Sequence, residues 1–151
     1  MSLAVRRATA GDVPAIVRLS ADDFLGVRRE TLGPPLPDGY LAAFREIDAD
    51  PNARLFVAED GQTVVGTFQL SFLRRMSRAG HRVCEIEAVH VAADQRSKGI
   101  GTHMMAVALD EARQAGCSRV QLTSDRQRTD AHRFYERLGF AKSHLGFKLD
   151  L

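Results

Sequence analysis

Gln95-Arg96-Ser97-Lys98-Gly99-Ile100-Gly101-Thr102 separates a strand pattern ending Val89-His90-Val91 from a long helical one. The first turn of a helix leaves backbone N–H groups unpaired, and the helix dipole adds partial positive charge there. Gly99 and Gly101 let the main chain approach a ligand without a Cβ in the way, and Arg96 and Lys98 bring further donors. Such a turn suits a diphosphate. Two familiar phosphate cradles are excluded. A P-loop needs Lys and then Ser or Thr after its second glycine, whereas Gly101 is followed by Thr102 and His103. A dinucleotide fingerprint needs a third glycine where Met104 stands. A tight strand-to-helix turn that binds nothing accounts for the same two glycines, because short glycine motifs carry little specificity on their own.

Working outward, Ile100, Met104, Val107, Ala108, Ala112 and Ala115 form an apolar helical stripe, with Gly116 as its stop. Downstream, Val120–Thr123 reads as a short strand. Thr129 or Asp130 caps a helix presenting Ala131, Phe134, Tyr135 and Leu138 on one face, ended by Gly139, and a final strand is expected over Leu145–Leu149. Upstream, Leu3–Ala8 is a strand, and Thr9 with Asp12 opens a helix carrying Val13, Ile16, Val17 and Phe24. Asp38 caps a second helix with Leu41, Phe44 and Ile47. Asp60-Gly61 turns a hairpin between Arg54–Ala58 and Thr63–Leu73, and a third strand covers about Arg82–Val91. The order predicts an α/β (α+β layered) fold with one central sheet.

The 151 residues, 44% hydrophobic and 26% charged, predict one globular domain over 1–151 rather than a disordered or fibrous chain. A net charge of +2 is too small for a dedicated nucleic-acid binder, and no run reaches the roughly 18 apolar residues of a membrane span. Met1–Arg7 lacks an apolar signal core, and Cys84 and Cys117 lack disulfide or CxxC spacing, so a cytoplasmic setting is expected. The five histidines show no metal-ligand spacing, and no metal is expected.

Three side chains carry candidate chemistry. Glu85 and Glu87 share one face of Cys84–Val91, which as an interior strand ought to read apolar on both faces. A buried carboxylate has a raised pKa and is the better base at neutral pH. A solvated face, or pairing with Arg74, Arg75, Arg78 or Arg82, is the alternative for either residue. Tyr135 is either a core aromatic beside Phe134 or an acid, since a phenol of pKa about 10 is protonated at neutral pH. His90 sits beside these groups as a packed or solvated histidine, or a second base.

Taken together, Arg96-x-x-Gly99-x-Gly101, the run Ala131-His132-Arg133-Phe134-Tyr135-Glu136-Arg137-Leu138-Gly139-Phe140 and the opening Val5-Arg6-x-Ala8-Thr9-x-x-Asp12 resemble the GNAT superfamily of acyl-CoA-dependent N-acetyltransferases over nearly the whole chain. The resemblance implies a central mixed, mostly antiparallel sheet flanked by about four helices. It also implies direct transfer of an acetyl group from acetyl-CoA to a primary amine, with a small molecule favoured over a protein N-terminus or lysine. A non-catalytic coenzyme A-binding sensor or partner module is the other reading. On the resemblance, Arg96, Ser97, Lys98, Gly99, Ile100, Gly101 and Thr102 hold the coenzyme pyrophosphate. Glu87 relays the proton from the amine, with Glu85 in reserve, and Tyr135 protonates the departing thiolate. A bulge splays the strand at Val89, His90 and Val91, whose backbone meets the pantetheine arm. Two positions depart from the family pattern: Arg128 stands where an Asn is usual, with Ser124 or Asp125 as substitutes for its contact or Arg128 itself turned to a phosphate, and Ser97 stands where a Gly is usual. The acceptor pocket is expected around Asp22, Asp23, Phe24, Glu30 and the loop before Met76. No nucleic-acid or membrane partner is implied, and edge strands leave room for a homodimer.

Overall fold

The computed structural model describes residues 2–22 and 29–151. Its strands are β1 (Leu3–Arg7), β2 (Ala53–Asp60), β3 (Thr63–Arg74), β4 (Arg82–Val91) and β5 (Arg119–Leu122). Its helices longer than one turn, among the described residues, are α1 (Val13–Ala21), α2 (Asp38–Ala49), α3 (Ile100–Gln114) and α4 (Thr129–Arg137). The five strands form one sheet in the order β1-β2-β3-β4-β5, antiparallel except for the parallel pair β4–β5. The mixed, mostly antiparallel sheet with four flanking helices is the layered architecture that the element order predicts.

The sheet divides two cores. On one face Phe56, Phe68, Leu70, Cys84 and Ile86 pack against Ile100, Met104, Met105 and Ala108 of α3. On the other, Val57 meets Val13 and Val17 of α1 and Phe44 of α2. Strand residues of alternate parity supply the two faces, and the helical stripes supply the covers.

Local capping follows the sequence with shifts of a residue or two. The Thr9 amide donates to Asp12 Oδ2 at 2.8 Å, but the first turn, Ala10–Asp12, is a 3₁₀ turn ahead of α1. Pro37, rather than Asp38, precedes α2, so Asp38 lies inside its first turn. Asp60 pairs with Thr63, which moves the hairpin turn to Gly61-Gln62, with Gly61 at φ 65°. Thr129 and Asp130 lie within α4, and Arg128 takes the position before it.

One expected element does not form. Leu145–Leu149 has the alternation of a strand, yet residues 141–151 carry no secondary structure. A strand needs a partner ladder, and no strand among the described residues pairs with this segment.

Asp12 does more than cap. Arg6 reaches it with two nitrogens, at 2.8 and 3.0 Å, and Glu59 with one at 3.1 Å, fastening β1 to the start of α1 and to β2. The Arg6 guanidinium, with the Thr9 amide and hydroxyl, holds the Asp12 carboxyl below its ordinary range against the opposing effect of burial. A depressed carboxyl pKa stabilises the fold above the unfolded value of about 3.9, and that stability drains away as pH falls through the folded value. Asp12→Asn is expected to lose about 1–2 kcal/mol at pH 7 in urea unfolding, with the gap from the wild type closing below about pH 4. A pH-independent gap would show that the charge contributes nothing.

Candidate active site

β4 changes character at its middle. Thr67 pairs with His90 and Gln69 with Glu87, so Ala88 and Val89 together oppose Phe68. This is a β-bulge, and Ala88 holds φ 52° in it, a left-handed conformation more natural to glycine. The extra residue reverses the strand's parity. Cys84 and Ile86 face the α3 core, and beyond the bulge Val89 and Val91 face it too. In an unbulged strand those two valines would share a face with Glu85 and Glu87.

β5 leaves β4 at the same place. The parallel ladder matches Val83–Ile86 with Arg119–Leu122 and ends there, while β4 runs on to Val91. The sheet therefore forks, and beyond Ile86 the β5-facing edge of β4 presents backbone groups with no strand to pair them.

The two carboxylates are placed differently by that fork. Glu85 lies within the ladder, half-buried, and accepts a hydrogen bond from Gln121 Nε2 at 3.0 Å. Glu87 lies one step past the ladder and is exposed, with no hydrogen bond or ion pair among the described residues. The expectation of a buried Glu87 is thus corrected: the bulge opens the strand where an interior position was expected. The nearby arginines do not pair with either acid. Arg74 donates to the Gly80 carbonyl at 2.8 Å, and Arg82 to the Ala115 carbonyl and Asn52 Oδ1 at 2.7 and 2.6 Å. His90 is half-buried across from Thr67.

After β4 a 3₁₀ turn (Ala93–Gln95) leads into the glycine turn. Ser97 at φ 65° and Gly99 at φ 82° both hold left-handed backbone, and nothing lies within 4 Å of where a Gly99 Cβ would stand. The first α3 hydrogen bond runs from the His103 amide to the Gly99 carbonyl at 3.0 Å. The amides of Ile100, Gly101 and Thr102 precede it and have no intrahelical acceptor. The Ile100 side chain is buried in the core and pins the turn from below. Arg96 spans the mouth, with Nε 3.3 Å from the Val91 carbonyl and Nη2 3.4 Å from the Asp22 carbonyl at the end of α1. Lys98 Nζ lies 3.2 Å from Gln95 Oε1. These are long, exposed bonds, readily exchanged for a stronger anionic partner.

Gly101 has a structural role besides. A Cβ there would stand 3.2 Å from the Phe134 ring, so α4 rests on the first turn of α3 at this residue. Tyr135 follows, packed edge-on between Phe134 and Phe140 at centroid distances of 5.2 and 5.8 Å. Burial pushes its phenol above the ordinary value, with the charge of Arg128 pulling the other way. Arg128 occupies the position before α4, its amide 2.9 Å from the Asp125 carbonyl.

The expected acceptor residues divide. Asp22 is exposed, and its carbonyl receives Arg96. Glu30 is tied down by Arg29 Nε, Ser20 Oγ and Tyr40 Oη at 2.5, 2.9 and 3.1 Å; burial raises its pKa, but those bonds outweigh burial and hold it below its ordinary range. Met76 is almost fully exposed. Asp23 and Phe24 lie outside the described residues. Sequence reasoning passed over Gln121, which fixes Glu85; a single amide between Val120 and Leu122 in a short strand was its only signal. Among the described residues no cluster of His, Cys, Asp and Glu is placed to hold a metal.

Comparison with known proteins bears on this arrangement. A family model described as the acetyltransferase (GNAT) family matches residues 15–140. The aminoalkylphosphonate N-acetyltransferase of Salmonella typhimurium is 36% identical over 110 residues, 73% of this chain and 68% of that protein. The glucosamine 6-phosphate N-acetyltransferase 1 of Oryza sativa subsp. japonica is 30% identical over 131 residues, 81% of this chain and 75% of its own length. A crystal structure of a transcriptional regulator from Bacillus halodurans C-125 superposes with a TM-score of 0.96 at 42% identity, covering 99% of each chain.

The left-handed residues of the turn give a stability test. Gly99→Ala is expected to cost about 1–2 kcal/mol although its Cβ meets open space, because the cost lies in the backbone. Ser97→Gly is expected to be neutral or to gain up to about 1 kcal/mol. Urea unfolding measures both, and an unaffected Gly99→Ala variant would show that the turn is not held in this conformation.

Proposed function

The chain belongs to the acetyltransferase (GNAT) family and is an acyl-CoA-dependent N-acetyltransferase, and we propose that it acetylates a small primary amine, with Glu87 as base, Tyr135 as acid and residues 96–102 as the seat of the coenzyme diphosphate. The fork between β4 and β5 carries this reading. It offers an extended ligand a stretch of β4 backbone that β5 no longer flanks, next to a helix start rich in free amides and two cationic side chains. That combination fits a molecule with a diphosphate at one end and an amide-bearing arm at the other.

Acetyl-CoA supplies an activated acyl group, and the protein's part is to place it and to move protons. An alkylamine of pKa about 10 is almost wholly protonated at neutral pH and needs a base. Glu87 suits that role, because its carboxylate stands at the fork with its lone pairs unengaged by protein donors among the described residues. It can take a proton directly or through water. Glu85, already accepting from Gln121, is the less available of the two. Tyr135 stands on the α3 side of the sheet, and burial keeps its phenol protonated well past neutrality, as a donor to a thiolate must be. The backbone of Val89, His90 and Val91 receives the pantetheine arm. Arg128 stands beside the phenol at the start of α4, where the usual amide would be, and a phosphate is the contact it would make in that amide's place.

The acceptor class rests on the relatives. Two of them act, by name, on amines that also bear a phosphonate or phosphate. An amine carrying a phosphorus oxyanion is accordingly the first candidate here. A cytoplasmic setting and a single catalytic domain over 1–151 fit two free cysteines and a family match over most of the chain. No helix among the described residues is long and apolar enough to cross a membrane.

Incubation with acetyl-CoA and a panel of aminoalkylphosphonates, amino-sugar phosphates, polyamines and peptides, followed by free thiol, tests acceptor and activity together. Turnover is expected with small amines. Thiol release on peptides alone would assign a protein acceptor, and tight coenzyme binding without release on any amine would leave the sensor reading. Glu87→Gln and Tyr135→Phe are each expected to lower kcat by about 10²-fold or more while coenzyme affinity by calorimetry stays within a few-fold. A Glu87→Gln enzyme of full rate removes Glu87 from the chemistry.

A further inference from the structure

The face of the sheet turned away from α3 is apolar at Val57, where α1 and α2 cover it. Farther across, the same face is polar. Gln69 and Ser71 of β3, Glu85 and Glu87 of β4 and Gln121 of β5 all lie on it, and the strand register sets them in two rows. Ser71, Glu85 and Gln121 stand opposite one another across three strands. Gln69 stands opposite Glu87, with no β5 residue beyond because the ladder has ended. Glu87 is exposed and the other four are half-buried.

An interior strand ordinarily reads apolar on both faces, so five polar side chains here call for a partner. Within the group the protein supplies one hydrogen bond among the described residues, from Gln121 Nε2 to Glu85 Oε2 at 3.0 Å. Glu85 keeps a second oxygen and Gln121 its carbonyl, and both are acceptors. The five side chains carry two negative charges and no positive one. The next row back along β4 is Leu73, Val83 and Arg119, and Arg119 forms no ion pair with Glu85 among the described residues. A floor rich in acceptors and negative in charge suits a ligand rich in donors. Two residues of strand separate Glu85 from Glu87 by about 6.8 Å, on one face.

We propose that Glu85 is the group that selects the acceptor: it binds a second donor, a hydroxyl or an ammonium, carried about 6–8 Å from the nitrogen to be acetylated. The inference rests on acetyl transfer with Glu87 at the reacting nitrogen, and it gives Glu85 a task other than that of a spare base. The hydrogen bond from Gln121 holds one Glu85 oxygen and leaves the other for the substrate. Gln69 and Ser71 border the two acids on the β3 side and add further polar contacts for a hydroxylated or aminated chain. A phosphorus oxyanion on the same acceptor has to be carried off this floor, because both carboxylates repel it.

Thiol release from acetyl-CoA is compared across α,ω-diamines, amino alcohols and plain alkylamines of increasing chain length. About four or five methylenes set the end groups about 6–7.5 Å apart in an extended chain. There kcat/KM for diamines and amino alcohols is expected to peak, at least about 10-fold above the alkylamine of equal length. Glu85→Gln is expected to lower the diamine-to-alkylamine ratio by about 10-fold. The amino-alcohol ratio is expected to fall less, because an amide oxygen still accepts from a hydroxyl. A length series without a peak, or a peak that survives Glu85→Ala, overturns the proposal while the release of thiol upholds acetyl transfer. Binding is read separately by nitrogen NMR with coenzyme A present. A five-carbon diamine is expected to shift the side-chain amide signal of Gln121, and the matching monoamine to leave it in place. A signal that the diamine does not move overturns the proposal whether or not any amine turns over. A shifted signal without turnover on any amine upholds the binding inference and sinks the catalytic reading alone.

Discussion

The left-handed backbone of Ala88 is the constraint on which the rest of the site depends. A non-glycine residue held there costs about 1 kcal/mol, and a regular strand would avoid it. Without the bulge, Val89 and Val91 would turn toward the side that carries Glu85 and Glu87, and the α3 core would receive Ala88 and His90 instead. With it, the apolar side chains of β4 serve one core along the whole strand while the acids stay together on the opposite face. The fork follows from the same distortion: a bulged strand twists more strongly, so a short parallel neighbour such as β5 cannot follow it past Ile86.

The fork is bounded by elements that hold one another. Arg96 joins the end of β4 to the end of α1 through two carbonyls. Gly101 lets Phe134 come down on the first turn of α3, and Phe134 in turn braces the ring of Tyr135. The glycine turn and the phenol are therefore parts of one packed unit. Gly101 serves packing at the same time as its amide lies in the unpaired first turn of α3, so bulk placed there disturbs both. Gly99 is the cleaner reporter on the turn itself, because its Cβ would meet open space.

Most of the architecture is legible in the sequence because it rests on local periodicity. The stripe from Ile100 to Ala112, the hairpin around Gly61 and the cap formed by Thr9 and Asp12 are each set by residues within a few positions of one another. What escapes is non-local or cooperative. Nothing near Ala88 in sequence announces that an alanine will accept a left-handed conformation; the requirement comes from β3 on one side and the α3 core on the other. Gln121 and Glu85 meet across 36 positions. The alternation from Leu145 to Leu151 has the period of a strand, and the missing strand shows that a pattern specifies a face, not the partner that covers it.

The same reasoning separates two carboxylates that composition cannot. Glu85 and Glu87 have the same chemistry, the same strand and the same face. They differ only in whether β4 still has β5 beside it. Where it does, an amide from Gln121 engages Glu85 and occupies one of its oxygens. Two residues later the ladder is gone, and Glu87 keeps its lone pairs and its access to water. What sets it apart from Glu85 is its position rather than its burial chemistry. Topology thus tells two equivalent acids apart: the strand that ends early holds one in its ladder and leaves the other clear of it.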